Sequence, residues 1–153
     1  MIQCLRSFSD EVSQPRQHRQ MVENLSQHLE NLKELALADS EVVVVWLYGS
    51  QAGGTASEHS DIDLAVAYAS YVADPVRRRL RPELTALDWA QALGFSEGEL
   101  SVVDIRLASI PLAFSVIEQG RVLLSKDDGR RMFEEQRVMS MWEDYQYQYR
   151  RYG

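Results

Sequence analysis

Two aspartates, Asp61 and Asp63, stand one residue apart at the start of an apolar, β-forming stretch. On a strand they would point to the same face, roughly 6.6 Å apart along the chain. At an effective dielectric constant of about 20, two ionised carboxylates at that separation repel by roughly 2.5 kcal/mol. No Lys or Arg lies between Lys33 and Arg77 to offset this charge. The pair therefore indicates either a polar strand edge that faces solvent or a site for Mg²⁺, Ca²⁺ or Mn²⁺, which prefer carboxylate oxygens.

A candidate phosphate site precedes these aspartates, where the apolar run Val42 to Tyr48 ends in Gly49-Ser50. A strand that ends in Gly-Ser and runs into a helical turn presents backbone N–H groups and a hydroxyl, which bind phosphate. The site is not a Walker loop, because no Lys-Ser/Thr follows the glycines. A phosphate site followed ten residues later by paired carboxylates suits a nucleoside triphosphate with Mg²⁺.

A third carboxylate, Asp104, lies in the otherwise apolar stretch ELSVVDIRLAS. As a catalytic group it would bind a second metal ion and take the proton from an attacking hydroxyl. The alternative is an ion pair with Arg106, on the same strand face, or with another basic neighbour. We predict catalytic and metal-binding roles for Asp61, Asp63 and Asp104, and nucleotide-binding roles for Gly49 and Ser50.

The elements that must position these residues follow from the pattern of apolar residues. Apolar residues at three- and four-residue spacings predict a helix over 15–38. A continuous β-branched and aromatic run predicts a strand buried on both faces over 42–48, and alternation predicts a second strand over 61–68. In the second strand, Asp61, Asp63, Ala65 and Ala67 share one face. Further along we predict an irregular basic connection over 69–81, a helix from Pro82 to about Leu93 and a strand over 100–107. The last elements predicted are a helix from Pro111 to Gly120, a short extended piece over 122–124, and a helix from 127 that thins towards the C-terminus.

Interleaved helices and strands predict an α/β or α+β fold with a small mixed sheet flanked by helices. The 153 residues predict one domain with an N-terminal helix at about 15–38, a catalytic core at about 42–126 and a C-terminal helix and tail at about 127–153. The four tyrosines near the C-terminus suit either a frayed end or a protein interface.

The composition narrows the classes of function. The apolar fraction of 45% and charged fraction of 25% are those of a globular protein, and the single cysteine excludes an internal disulfide. We expect a cytoplasmic protein, since the sequence shows no signal peptide and no apolar run long enough to span a bilayer. The net charge of −7 disfavours direct binding to nucleic-acid backbones. The one basic run, Arg77 to Arg81, is interpreted as a solvated face.

The segment GSQAGGTASEHSDIDLAV resembles the Gly-Ser, ten residues, Asp-x-Asp signature of the polymerase-β nucleotidyltransferase superfamily. The chain's size and the segment IPLAFSVIEQGRVLLSKD resemble the minimal nucleotidyltransferase (MNT) antitoxins of HEPN/MNT toxin–antitoxin pairs, over about residues 42–126. The resemblance implies a polymerase-β-like minimal nucleotidyltransferase fold, with Gly49 and Ser50 on the triphosphate and Asp61 and Asp63 on Mg²⁺. It also implies a heteromeric complex with a HEPN-type RNase toxin, to a tyrosine of which AMP is transferred from ATP.

One feature departs from this pattern. Many relatives carry a doubled Val-Asp-Leu pattern in the strand of the third aspartate, whereas here Ser101 stands three residues before Asp104 and only one carboxylate is present. Two other functions stay open: an antitoxin that acts by covering the toxin, and a small-molecule nucleotidyltransferase of the aminoglycoside type. The complete set of candidate residues favours catalysis over covering, and the short chain leaves little length for shaping a small-molecule acceptor pocket.

Overall fold

The computed structural model describes residues 24–49 and 61–152, which form a mixed sheet with helices on both faces. The strands are β1 (Val42–Tyr48), β2 (Ile62–Tyr68), β3 (Leu100–Asp104) and β4 (Arg121–Ser125), in the order β3-β2-β1-β4. The helices are α1 (residues 24–38), α2 (Pro75–Leu93), α3 (Ile110–Gln119) and α4 (Asp128–Tyr152). Strand β1 is antiparallel to β2 and β4, and β2 is parallel to β3. The predicted class, an α/β fold with a small mixed sheet, is confirmed.

The two central strands, β1 and β2, are apolar on both faces because helices cover both. On one face, Leu64 and Val66 pack with Leu32 of α1 and Trp89 of α2. On the other face, the partners of the sheet come from α3 and α4; this cluster comprises Val44, Trp46, Ala65, Ala67, Ile105, Ala113, Val116 and Val138. The predicted alternation of β2 is therefore confirmed, and it places Asp63 on the α3/α4 face.

Helix α2 begins seven residues earlier than predicted. The Asp74 carboxylate accepts hydrogen bonds from the backbone N–H groups of Val76 and Arg77, at 2.9 and 3.1 Å. Pro75 fills the first helical position, where a missing N–H costs nothing. Pro82, predicted to open the helix, is instead buried inside it. The predicted end is confirmed by Gly94, which caps the helix in the left-handed conformation at φ 71°.

Two other boundaries differ from prediction. Strand β3 ends at Asp104 rather than Leu107, because the Asp104 carbonyl accepts hydrogen bonds from the N–H groups of Leu107 and Ala108 and closes a turn. Helix α4 continues to Tyr152 instead of thinning out. Its Trp142 stacks on Phe114 of α3, with ring centroids 4.3 Å apart. No helix within 24–49 or 61–152 is long and apolar enough to cross a membrane.

Candidate active site

The candidate site forms where β1 ends and β2 begins. Antiparallel pairing sets Tyr48, the last residue of β1, opposite Asp63. Gly49 follows with φ 75°, a left-handed conformation that side chains other than glycine rarely adopt. A Cβ at Gly49 would lie 2.6 Å from Asp63 Oδ2. The backbone after β1 and the Asp63 carboxylate are therefore in direct contact, and only glycine permits that approach.

The electrostatic environment at this corner opposes the ionised form of Asp63. Burial raises the pKa of the Asp63 carboxyl above its ordinary value, and the neighbouring charge of Asp61 raises it further. Burial also raises the pKa of the Tyr48 hydroxyl, with a second contribution from Asp63. Among the described residues, no Lys, Arg or His forms an ion pair with Asp61 or Asp63. Among the residues that the structure describes, the two carboxylates therefore have no paired base.

The donor set fits a divalent cation. Asp61 is exposed and Asp63 half-buried, so the pair offers carboxylate oxygens at the mouth of the site. A bound cation would offset both the burial and the mutual repulsion that disfavour ionised Asp63. Within the described ranges, no cluster of three or more His, Cys, Asp or Glu residues is found. Two carboxylates would have to be supplemented by water and by phosphate oxygens, which is the usual way Mg²⁺ is held.

The structure does not bring Asp104 together with Asp61 and Asp63. Parallel pairing sets Asp104 beside Val66, three residues downstream of the Asp63 pair and on the opposite face of the sheet. Three residues along a strand correspond to roughly 10 Å. The Asp104 carboxylate instead accepts a hydrogen bond from the N–H of Arg106 at 2.9 Å and lies 3.8 Å from the guanidinium of Arg81. These contacts agree with the alternative interpretation of Asp104, in which the carboxylate interacts with basic neighbours.

Ser101, rather than the predicted Asp104, is the residue of β3 that lies beside Asp63. The two are in register, and residues in register on parallel strands share a face. The strand beside Asp63 therefore contributes a hydroxyl instead of an acid. Ser50, predicted to bind the triphosphate, lies outside the described residues. Of the five predicted site residues, the structure brings together Gly49, Asp61 and Asp63.

Tyr48 was missed by the sequence reasoning, although it faces the site. The apolar run Val42 to Tyr48 suggested a core residue, whereas Tyr48 is half-buried and lies opposite Asp63. Its position one residue before the Gly-Ser pair was the available signal, because the side chain that ends a strand at a site borders that site. Tyr48 is the hydroxyl-bearing residue of β1 and pairs directly with Asp63.

The family assignment agrees with this geometry. Residues 30–129 match the family described as polymerase beta, nucleotidyltransferase. The chain belongs to the polymerase beta nucleotidyltransferase family. This match covers all four strands, helices α2 and α3 and most of α1, and it ends at the start of α4. The predicted superfamily membership and fold are thereby confirmed.

Among characterised nucleotidyltransferases, the protein adenylyltransferase MntA of Shewanella oneidensis is 32% identical over 90 residues, which are 59% of this chain and 59% of MntA. The match thus spans about three fifths of that relative. A chain of the crystal structure of a toxin–antitoxin with AMP-PNP is similar at a TM-score of 0.60 and 28% identity, covering 77% of this chain and 90% of that one. The complex of tri-AMPylated Shewanella oneidensis HEPN toxin with MNT antitoxin supplies a further match in fold alone, at a TM-score of 0.58, 23% identity, and coverage of 80% and 90%.

Proposed function

We propose that this nucleotidyltransferase is an MNT-type antitoxin that transfers AMP from ATP to a tyrosine hydroxyl of a partner HEPN-type RNase toxin. The observation that carries the proposal is the contact between Gly49 and Asp63, which joins a phosphate-binding backbone to a metal-binding carboxylate. The 32% identity to a protein adenylyltransferase supports a protein acceptor over a small molecule. We further propose a single cytoplasmic domain over residues 1–153 that forms a heteromeric complex with the toxin.

The transfer is a substitution at phosphorus. The tyrosine oxygen forms a bond to the α-phosphorus of ATP, the bond from that phosphorus to the bridging oxygen breaks, and pyrophosphate leaves. The proton of the tyrosine hydroxyl passes to solvent water. Asp104 is not assigned as the base, because it lies on the opposite face of the sheet from Asp63. In this chain, Gly49 and Ser50 would hold the triphosphate, and Asp61 and Asp63 would hold Mg²⁺, which when bound supplies positive charge that offsets the phosphates and carboxylates.

The consequence for the toxin follows from charge and bulk. An AMP group adds a negative phosphate and a base to the modified tyrosine. At an RNase site this would obstruct the pocket and repel the RNA backbone. Because the modification is covalent, silencing is expected to survive removal of the antitoxin.

The test is to incubate purified toxin, this protein, ATP and Mg²⁺, then separate the toxin and measure its mass and RNase activity. A mass gain of one or more AMP units together with lost RNase activity is expected. The same reaction with EDTA, or with Asp61→Ala/Asp63→Ala, should leave both mass and activity unchanged. An unmodified toxin in the complete reaction would contradict the proposal.

One observation favours the alternative, an antitoxin that acts by covering the toxin. Ser101 stands beside Asp63 where a third carboxylate would complete a three-acid site, so the described site has two acids. The two functions are separated by the Asp61→Ala/Asp63→Ala variant in cells. If this variant protects cells from the toxin as well as the parent does, covering is sufficient. If protection is lost while the complex still forms, chemistry is required.

A further inference from the structure

A recess of about 440 Å³ opens at the end of the sheet opposite the candidate active site. It lies at Tyr68, five residues along β2 from Asp63, which corresponds to about 16 Å. We call it the arginine pocket and define it by its charged and aromatic lining: Tyr68, Tyr71, Arg78, Arg81, Asp104, Arg106 and Arg130. The basic run of the sequence supplies two of the four arginines, and the turn after β3 and helix α4 supply the other two.

The pocket concentrates positive charge in a chain whose formal net charge is −7. Two carboxylates approach its arginines. Asp104 lies 3.8 Å from Arg81, and the fully buried Glu134 accepts hydrogen bonds from Arg106 and Arg130 at 2.8 and 2.9 Å. Four guanidinium groups thus face two carboxylates, and Glu134 is also shared with Arg137. Like charges this close repel each other, so the pocket is stabilised by an added anion.

Several donors of these arginines have no partner among the described residues. The Nε of Arg81 is buried without a hydrogen-bond acceptor there. Its guanidinium stacks on the Tyr68 ring at 4.0 Å, which fixes its plane. Arg106 bonds Glu134 through Nε, which leaves its terminal nitrogens for a ligand. Planar guanidinium groups held in place with spare N–H donors are the side chains that bind phosphate oxygens in pairs.

The arrangement also separates the basic run into two functional halves. Arg78 and Arg81, three residues apart, share a helix face and line the pocket, whereas Arg77 and Arg79 are exposed and do not. The run is therefore not uniformly a solvated face. The concave shape and a volume at the low end of the range for ligand pockets suit a small molecule rather than an extended nucleic-acid backbone.

We propose that the arginine pocket binds a small phosphorylated anion of the pyrophosphate or nucleoside phosphate class. The arginines pair with phosphoryl oxygens, and Tyr71, exposed at the rim, is available to contact an attached group. This binding is independent of the proposed AMP transfer, because the pocket and the candidate active site lie at opposite ends of β2. It is also independent of a metal ion, since the arginines supply the positive charge.

The test is titration calorimetry of inorganic pyrophosphate into the whole protein in EDTA, where binding at the Asp61/Asp63 site is disfavoured. Arg78→Gln/Arg106→Gln is expected to weaken pyrophosphate binding about tenfold or more, since charge-assisted hydrogen bonds are lost. Arg77→Gln/Arg79→Gln removes the same charge outside the pocket and is the matched control, with affinity within about twofold of the parent. Asp63→Asn is also expected to retain the parental affinity.

Three outcomes would overturn the proposal: no binding to the parent protein, equal losses in both double variants, or a loss confined to Asp63→Asn. If pyrophosphate does not bind but Arg78→Gln/Arg106→Gln weakens the complex with the toxin, the pocket is a protein-docking surface instead. If that variant does not fold, NMR of the parent decides. Pyrophosphate should then shift the Arg81 Nε–H and Tyr71 signals, and unshifted signals would reject the site. Nucleoside monophosphate, titrated in the same way, distinguishes the two ligand types within the class.

Discussion

Gly49 and Asp63 approach so closely that a Cβ on the glycine would lie 2.6 Å from the Asp63 Oδ2 atom. The approach results from the antiparallel pairing of Tyr48 with Asp63, which brings the end of β1 against the start of β2. Two separate features therefore require glycine at position 49: its φ of 75° and the lack of space for a side chain. The backbone turn and the carboxylate behave as one structural unit.

Substitution of Gly49 should therefore damage the site as well as the fold. Gly49→Ala is expected to cost about 1–2 kcal/mol from the left-handed conformation, and to displace the Asp63 carboxylate. We expect a lower melting temperature and a loss of Mg-ATP affinity of about tenfold or more, measured by thermal unfolding and titration calorimetry.

Gly94→Ala is the matched control for this prediction. Gly94 has φ 71°, yet a Cβ there would meet nothing within 4 Å. Its substitution should bring a similar conformational cost in stability and leave Mg-ATP affinity unchanged. Equal losses of affinity in both variants would show that strain alone, and not the contact with Asp63, is responsible.

The raised pKa of Asp63 predicts that this carboxylate destabilises the fold at neutral pH. A carboxyl whose pKa is raised on folding contributes its stability below the unfolded value, roughly 3.9, and loses it as the pH rises through the folded value. Asp63→Asn should therefore melt above the parent at pH 7, with a difference that shrinks as the pH falls towards about 4. Added Mg-ATP should reverse the order, because only the parent gains a ligand.

Asp61→Asn tests the cause of this effect. Burial is the larger reason for the raised pKa of Asp63, and the charge of Asp61 is the smaller one. Removing the charge of Asp61, an exposed residue, should give a smaller gain in melting temperature than Asp63→Asn. A melting temperature of Asp63→Asn below that of the parent at pH 7 would refute the argument.

The central strands and the corner between them were predictable because their signals are local. A seven-residue apolar run, the glycine that follows it and the alternation from Asp61 to Tyr68 each specify their own conformation. The register of β3 was not predictable in this way, since it depends on how side chains from distant segments pack. Asp104 lies three positions after Ser101, an odd step along the strand, so pairing Ser101 with Asp63 turns Asp104 to the other face.

The start of α2 shows the same distinction. Asp74-Pro75 is itself a helix-start signal, a capping side chain followed by proline at the first position. Pro82 carries a competing signal, because proline suits the first turn of a helix. Here Pro82 is buried in the eighth position of α2. The helix therefore begins at the Asp74-Pro75 signal, and Pro82 packs inside it.

The register of β3 leads to a prediction about the third acid. Ser101→Asp would place a carboxylate on the strand next to Asp63, at an interstrand spacing of about 4.8 Å. We expect a several-fold increase in the rate of AMP transfer with Mg²⁺ or Mn²⁺, and a lower melting temperature without metal, because a third negative charge adds repulsion. Ser101→Asn, equal in size but uncharged, should give neither change.

Asp104→Asn is the complementary experiment. Asp104 lies on the opposite face, so this variant should keep the parental transfer rate in the mass-spectrometric assay while losing some stability through its contact with Arg81. If Asp104→Asn no longer transfers AMP but has the melting temperature of the parent, Asp104 takes part in the reaction. No increase from Ser101→Asp would show that two acids suffice.

Glu134 links helix α4 to the turn after β3 and is completely buried. Its carboxylate accepts hydrogen bonds from Nε of Arg106, Arg130 and Arg137 at 2.8, 2.9 and 2.9 Å. Burial alone would raise the pKa of Glu134, but these three hydrogen bonds outweigh it and hold the pKa below its ordinary value. The carboxylate is thus the common acceptor that holds three guanidinium groups together.

Glu134→Gln should therefore destabilise the fold by about 2–3 kcal/mol, because three partly exposed guanidinium groups lose their common charged acceptor. Glu135→Gln is the matched control: it removes the same charge from the next position of α4, where Glu135 pairs with Arg131 alone, and should cost about 1 kcal/mol or less. Since the pKa of Glu134 is lowered on folding, its contribution is present above the unfolded value, roughly 4.3, and is lost as the pH falls through the folded value. Urea unfolding at pH 7 and pH 3 measures both effects, and the gap between the parent and Glu134→Gln should narrow at the lower pH. Similar unfolding free energies for Glu134→Gln and Glu135→Gln at pH 7 would mean that the three arginines find other acceptors.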